Sequence, residues 1–454
     1  ALKKFKEIVR EIDPDIITGW NIVDFDLAYL NDKFKQHRIK FDIGRGDKEA
    51  SIRVESSFFI TSKAKIQGRV VLDGIELLKV NFFRLVDYKL DTAAEEYLGE
   101  KKTIGNENKV KEIDDAYKND PKKLVKYNLK DAELVYRILE KNDLINLTVK
   151  RSLLVGMPLD RVQASVASLD SLYIRELNSI GYAAPTSKFN KKDKGVTGGY
   201  VMKSKPGIYE GVIVCDFKSL YPSIMKTFNV DPLSYARGKR SKKPIVAPNG
   251  AKFDSEEGLL PSILDKLWKS RDEMKKKKNM AGSFAIKIHM NSIYGVLANP
   301  TCRFYSYEMA DAITSFGQMI IKKSAELMRE HGYDVIYGDT DSIFIDLKTT
   351  DIEEIKRRGK AVEKEINNFY EKYTEEEFGR KNNLYMEYEK TYKVLMIPYV
   401  RHGTQGAKKR YAGLIIREDG KEEMNFTGLE FVRRDWTELS KKFQLELLDK
   451  IFHK

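Results

Sequence analysis

Asp216 closes the apolar run Val212-Ile213-Val214-Cys215 and is followed by Phe217-Lys218-Ser219-Leu220-Tyr221-Pro222-Ser223. A carboxylate at the mouth of a buried strand is costly unless water or a metal ion meets it. The position is therefore either a metal ligand or a strand-end aspartate capping the next helix. A second acidic element, Tyr337-Gly338-Asp339-Thr340-Asp341-Ser342, lies between Val335-Ile336 and Ile343-Phe344-Ile345. Two strand-like runs joined by Gly-Asp turn chemistry predict a hairpin with two acids at its bend. The plainer alternative is an ordinary surface turn, which uses the same residues. Two carboxylates from separate strands, with a backbone carbonyl, can hold a pair of Mg2+ ions roughly 3.5–4 Å apart. One ion would lower the pKa of an attacking hydroxyl and the other steady a leaving pyrophosphate. Hard cations prefer oxygen ligands, which suits a site of aspartates without histidine.

Cations stand at helical spacing between these acids. Arg271 and Lys275 are four residues apart, as are Lys287 and Asn291, and Tyr294 extends the second face. Ile286, Met290 and Ile293 form a separate apolar face for the core. One arginine and two lysines converging on a triphosphate would serve phosphoryl transfer, where positioning and charge stabilisation dominate. The neighbouring Lys276, Lys277 and Lys278 read as a solvated tip.

The elements that must position these groups follow from the patterning. Residues 1 to about 140 alternate helical and strand-like runs in the manner of an α/β domain. Ile16, Ile17 and Trp20 follow Pro14 in a strand-like run, and a helical pattern continues through Leu27, Leu30 and Phe34. Segments 51–60, 68–73 and 75–80 read as strands or short helices, with Gly44, Gly46 and Gly74 at turns. The Lys- and Gly-rich stretch 188–199 is the predicted domain boundary, and the run 211–215 opens a second α/β region. Between 259 and 295 two helical patterns flank a break at Ala281-Gly282, predicting an antiparallel pair.

The 454 residues exceed one ordinary core, so two to four domains are expected. A net charge of +13 suits a polyanionic partner, although charge by itself also fits other roles. Cys215 and Cys302, the two cysteines, lack the spacing of a disulfide framework or a cysteine-rich zinc site, which points to a reducing compartment. No apolar run has the length of a membrane span and no signal-peptide pattern opens the chain. The chain starts inside an amphipathic pattern (Leu2, Phe5, Ile8, Val9, Ile12), so a preceding segment is expected.

Taken together, these residues carry a resemblance to the family B DNA polymerases, especially the archaeal ones. Residues 216–223 resemble the family's DxxSLYPSI motif, residues 287–295 its KxxxNSxYG motif and residues 337–342 its YGDTDS motif, in the family's order. The resemblance implies a right-hand polymerase in which Asp216 and Asp341 bind metal with the carbonyl of Phe217, and Asp339 has a less defined role. It implies that Arg271, Lys275 and Lys287 grip the triphosphate, Lys287 donates a proton to pyrophosphate, and Asn291 supports the nucleotide together with Ser219 and Leu220. Tyr221 would be the steric gate against a ribose 2′-hydroxyl, and Tyr294 would lie at the nascent base pair. Lys408-Lys409-Arg410-Tyr411 resembles the family's KKRY element at the primer-template, and residues 428–436 resemble the start of a thumb. The implied domains are a partial exonuclease (1–150), a linker and approach to the palm (151–210), palm (211–258), fingers (259–296), palm (297–426) and the start of a thumb (427–454). The fold class is thus α/β and α+β multidomain, with an incomplete RNase H-like exonuclease before palm and fingers.

Asn21-Ile22-Val23-Asp24-Phe25-Asp26 resembles the second exonuclease motif and Tyr127-Asn128-Leu129-Lys130-Asp131 the third. Asp26 and Asp131 would bind metal while Tyr127 orients the attacking water; each acid alone also reads as a cap or a surface residue. The first motif, DxE, is expected upstream of residue 1, so weak or absent proofreading is expected of this polypeptide alone. The linker motif YxGG appears as Val196-Thr197-Gly198-Gly199, which puts the coordination of synthesis and editing in doubt; the glycines still admit a phosphate. The expected cofactor is Mg2+, two ions, with Mn2+ as a substitute. Expected partners are primer-template DNA and dNTPs, with a complementary polypeptide and a sliding clamp as further candidates, and no membrane. A cytoplasmic, nucleoid-associated location would follow if the source is archaeal. The competing readings are reverse transcription, disfavoured by the SLYPS and KxxxNSxYG elements, and a catalytically weak DNA-binding subunit of a split polymerase, disfavoured by the retained acids.

Overall fold

The computed structural model describes residues 1–55, 62–81, 83, 85–100, 109–162, 164–188, 195, 197–400, 403–417, 419–429 and 436–453. The chain forms two compact units, one of Ala1–Leu172 with Ser270–Ile286, the other of Tyr173–Lys269 with Lys287–Lys454. Much of the predicted boundary at 188–199, including Val196, lies outside the described residues, as do residues 430–435 of the thumb-like motif. Among the described residues no helix is long and apolar enough to cross a membrane.

In the first unit, β1 (Ile16–Gly19) pairs in parallel with β2 (Val70–Asp73), Ile16 opposite Val70 and Gly19 opposite Asp73. Leu72 of β2 joins Leu77, Leu78, Leu134 and Ile138 in a core. The last two come from α1 (Pro121–Lys141), where Asp120 caps the helix by accepting from Lys123 N and proline fills the first turn. That placement costs no intrahelical bond, because the first-turn amides lack helical partners.

The second unit is built on a six-stranded antiparallel sheet. Its strands are β3 (Gly207–Phe217), β4 (Asp334–Asp339), β5 (Ser342–Asp346), β6 (Met386–Ile397), β7 (Tyr411–Ile416) and β8 (Glu422–Thr427), in the order β8-β7-β6-β3-β5-β4. Central β3 buries Gly211 to Cys215 without alternation. Both of its faces are covered, so every side chain in the run is apolar. Val212 and Val214 pack with Tyr337, Phe344 and Tyr392. The further helices are α2 (Leu220–Thr227), α3 (Pro232–Gly238), α4 (Leu259–Lys276) and α5 (Met280–Leu297). Two long helices, α6 (Tyr307–Glu330) and α7 (Ile352–Phe378), pack on the sheet strands. The C-terminal α8 (Glu438–Phe452) seals the β7 end, with Leu448 and Phe452 against Ala412 and Leu414.

The predicted break at Ala281-Gly282 needs correction. The turn falls earlier, between Lys276 and Met280, with Lys278 in the left-handed region at φ 56°. Asn279 Oδ1 accepts from Gly282 N at 2.7 Å, so asparagine caps α5 and the Ala-Gly pair lies inside its first turn. A side-chain cap defines a helix start more strongly than a glycine within it.

Candidate active site

Two neighbouring strand ends of the second unit bring the predicted acids together. Asp216, next to last in β3, lies opposite Ser342 of β5, and Phe217 N donates to Asp341 O at 2.8 Å. The tight β4–β5 connection leaves Thr340 and Asp341 between the paired Asp339 and Ser342, with Thr340 at φ 55°. A two-residue loop with a left-handed first position suits the twist of an antiparallel pair. Gly338 is not part of this turn, contrary to the Gly-Asp turn chemistry predicted. It lies within β4, where a Cβ would stand 2.6 Å from Met202 Sδ. The glycine is there for close approach. A neighbouring crossing is equally tight: Thr340 N donates to Tyr200 O at 2.8 Å, and a Cβ on Gly199 would lie 2.8 Å from Thr340 Cγ2.

The electrostatics are those of acids crowded in a half-buried recess. Burial and the charge of Asp341 push the Asp216 carboxyl up to about 8. Burial and the charge of Asp339 push Asp341 up to about 6. Asp339 is held by Lys409 Nζ at 3.1 Å and by Thr340 Oγ1 at 2.9 Å, while Tyr337 Oη accepts from Lys409 N at 2.9 Å. The sequence reading missed Glu389, whose charge raises both Asp216 and Asp341. It occupies an irregularity in β6 where the register against β3 shifts between Tyr388 and Lys390. Bulges of this kind re-aim side chains beside active sites. The pattern Glu387-Tyr388-Glu389-Lys390 carried no signal that separated it from a solvated strand edge.

Among the described residues no group of three or more His, Cys, Asp and Glu is arranged to hold a metal ion. The donor chemistry nevertheless fits a hard divalent cation: two carboxylates and a backbone carbonyl supply only oxygen, and the burial and neighbouring negative charge that raise both acids are what a cation would offset.

Around the acids, Ser219 takes the left-handed conformation at φ 49° immediately before α2, and Leu220 is buried. Tyr221 is packed against Tyr294, their rings 4.7 Å apart. Burial and Tyr294 push the Tyr221 hydroxyl up to about 12, with Asp341 and Asp339 adding to the shift. Lys287 and Asn291 are exposed on α5, and the Lys287 charge acts on Asp216. Ile286, Met290 and Ile293 are buried, so the two faces of α5 divide as predicted. Lys408, Lys409 and Arg410 precede β7, which begins at Tyr411. Gly198 O accepts from Gln318 Nε2 at 2.9 Å. Arg271 and Lys275, in the last turns of α4, belong to the first unit.

The exonuclease candidates also lie in the first unit. Asn21, at φ 57°, leads into a π-helical turn, Val23–Leu27, that carries Phe25 and Asp26. Phe25 is 69% exposed. Partial desolvation raises the Asp26 carboxyl above its ordinary range. Tyr127 and Asp131 are half-buried, one turn apart on α1.

The sequence pattern of DNA polymerase family B matches residues 160–454, and that of the family B exonuclease domain matches residues 2–93, which include Asn21 to Asp26 but not Tyr127 or Asp131. The chain is 39% identical over 456 residues to DNA polymerase II of Escherichia coli (strain K12), covering 99% of this chain and 58% of that protein. It is 30% identical over 475 residues to a DNA polymerase of Thermococcus sp. (strain 9oN-7), covering 99% and 57%. It is also 30% identical over 495 residues to the DNA polymerase delta catalytic subunit of Dictyostelium discoideum, covering 99% and 43%. The chain thus spans under two thirds of the length of these relatives. With the polymerase pattern matched over more than half of its residues, and with the exonuclease pattern before it, the chain belongs to DNA polymerase family B.

Proposed function

We propose that this chain catalyses template-directed addition of dNTPs to a primer 3′-hydroxyl, with the sheet of the second unit as palm, α4 and α5 as fingers, and the region from 427 as the start of a thumb. The supporting observation is the meeting of Asp216 and Asp341 at adjacent strand ends, locked by the Phe217 N to Asp341 O bond. These carboxylates and the carbonyl of Phe217 would hold the divalent metal. When bound, the metal supplies charge stabilisation at the phosphoryl oxygens and a lower pKa for the attacking hydroxyl. The Lys287 charge acts on Asp216, and Lys287 would neutralise the phosphates and hand a proton to the leaving pyrophosphate; Arg271, Lys275 and Asn291 would be the remaining candidates for the grip. Tyr221, its ring backed by Tyr294, would exclude a 2′-hydroxyl by collision. Lys408, Arg410 and Tyr411 would track the primer-template, while Lys409 holds Asp339 in place. Gly198, with no described atom within 4 Å of where its Cβ would stand, would leave room for a passing phosphate, whereas that space at Gly199 is taken by Thr340. The first unit is read as an RNase H-like 3′-5′ exonuclease fold in which Asp26 and Asp131 would bind metal and Tyr127 would orient the attacking water, with weak or absent proofreading expected of this polypeptide alone.

Primer extension with Mg2+ and dNTPs tests the reading. Asp341→Ala should lower incorporation by at least two orders of magnitude while duplex binding stays within a few-fold. Extension that survives this substitution would remove Asp341 from the chemistry.

A further inference from the structure

The segment leaving α3 reads Arg237-Gly238-Lys239-Arg240-Ser241-Lys242-Lys243. Lys239, Arg240, Lys242 and Lys243 are exposed; none forms an ion pair with a described residue, and Lys239 Nζ stands 6.0 Å over the Tyr235 ring. A run of like charges is ordinarily a solvated face. This one borders a cavity of about 700 Å3 whose wall includes Tyr182, Tyr235, Phe304, Tyr305, Arg240 and Arg303. None of the lining residues belongs to the acidic site described above, and the whole cavity lies within the second unit.

The arrangement narrows the ligand. Aromatic walls offer stacking surfaces to a planar ring, and the volume falls in the range of small-molecule pockets, roughly 300–1,000 Å3. Arg237 is already engaged, 5.1 Å over the Tyr182 ring, donating to Tyr182 Oη at 2.9 Å and paired with Glu256 at 3.2 Å. It stiffens the wall and is not the anion receptor. The lining carboxylate Asp254 accepts from Ser241 Oγ at 2.8 Å, which fastens the basic loop to the cavity rim. Arg240 lines the cavity and Lys239 Nζ stands over the Tyr235 ring, while the exposed Lys242 and Lys243 follow on the same loop, so the cations outnumber what one phosphate needs. An apolar ligand would have no use for them, and an acidic peptide would have no use for the ring-lined slot. Stacking surfaces beside a track of backbone-binding cations are the combination that holds unpaired nucleic acid.

We propose that this cavity and loop form an accessory subsite for an unpaired nucleic-acid strand, with one base inside the aromatic wall and the flanking phosphates along Lys239, Arg240, Lys242 and Lys243. The assignment stands on the second unit alone and does not require the polymerase reading.

The test uses the full chain and a dT12 strand carrying one 5-iodouracil, with binding read as the yield of cross-links in peptides bearing Tyr182, Tyr235 or Tyr305. Strand bound elsewhere then does not count. Replacing Lys239, Arg240, Lys242 and Lys243 together by alanine should flatten the log–log salt dependence of that yield by about 2.8, at about 0.7 for each phosphate no longer neutralised. Tyr182→Ala, at a position 44% exposed, should weaken strand capture roughly 5- to 150-fold, and Tyr182→Trp should restore it. Cross-links confined to other peptides would overturn the proposal, as would an unchanged salt dependence in the fourfold variant. Competition by free dTMP equal to that of dT12 would make the cavity a mononucleotide pocket and overturn it as well.

Discussion

Asp231 offers a quantitative test of how the second unit is held together. Its side chain is fully buried and accepts from Tyr173 Oη at 2.9 and 2.8 Å, Ser234 N at 2.9 Å, Leu259 N at 3.0 Å and Leu260 N at 2.8 Å. One carboxylate therefore caps α3 and fastens the start of α4, where helix amides have no backbone partner. Asp231→Ala would orphan the donors of Ser234, Leu260 and Tyr173 in a site without solvent. Each unsatisfied buried donor costs about 1–3 kcal/mol, so a loss of at least about 3 kcal/mol is expected even after relaxation. Asp231→Asn should cost less. Its oxygen can keep the Leu259 and Leu260 bonds while its amide faces Ser234 N, giving up one backbone bond for about 1–3 kcal/mol. Urea titration followed by hydrogen exchange on peptides covering 229–264 measures both. For a unit of this size about 3 kcal/mol corresponds to a melting shift of roughly 6–12 °C. An alanine variant within about 1 kcal/mol of the parent, or an asparagine variant less stable than the alanine one, would refute the reasoning.

Other expectations follow from the same geometry. Gly338→Ala should lower primer extension severalfold, because its methyl would enter the 2.6 Å approach of Met202 Sδ; Met202→Ala in the same chain should recover much of the loss. Tyr221→Ala should raise incorporation of ribonucleotides relative to deoxynucleotides by more than tenfold in single-turnover assays, with little change for dNTPs. The Glu100 carboxyl, between Arg137 at 2.6 Å and Lys130 at 2.9 Å, is held down at about 2. A depressed folded pKa stabilises above the unfolded value, about 4.3, and that stabilisation is lost as pH falls from there through about 2. Thermal melts of Glu100→Gln should therefore be less acid-sensitive than the parent across this window and differ least at its lower end.

The candidate site was legible because its signals are local. An apolar run ending in Asp216 and an acid-bearing turn between two apolar runs mark strand ends whatever surrounds them, and the faces of α5 follow from helical spacing alone. Glycine is a less specific signal. At 338 and 282 its type suggests a turn or a break, but the first is required by a sulfur arriving from residue 202 and the second sits in a helix started by Asn279.

What the sequence by itself determined was the family and a set of candidate acids, cations and one aromatic, Tyr221, because residue type at short spacing carries that information. Tertiary structure decided which distant groups share one environment. It set Glu389 beside Asp216 through a register shift, buried Asp231 under Tyr173 across 58 residues, and laid a basic loop against an aromatic cavity. Such pairings depend on how strands register and helices pack, and contacts between remote segments leave no period in the chain.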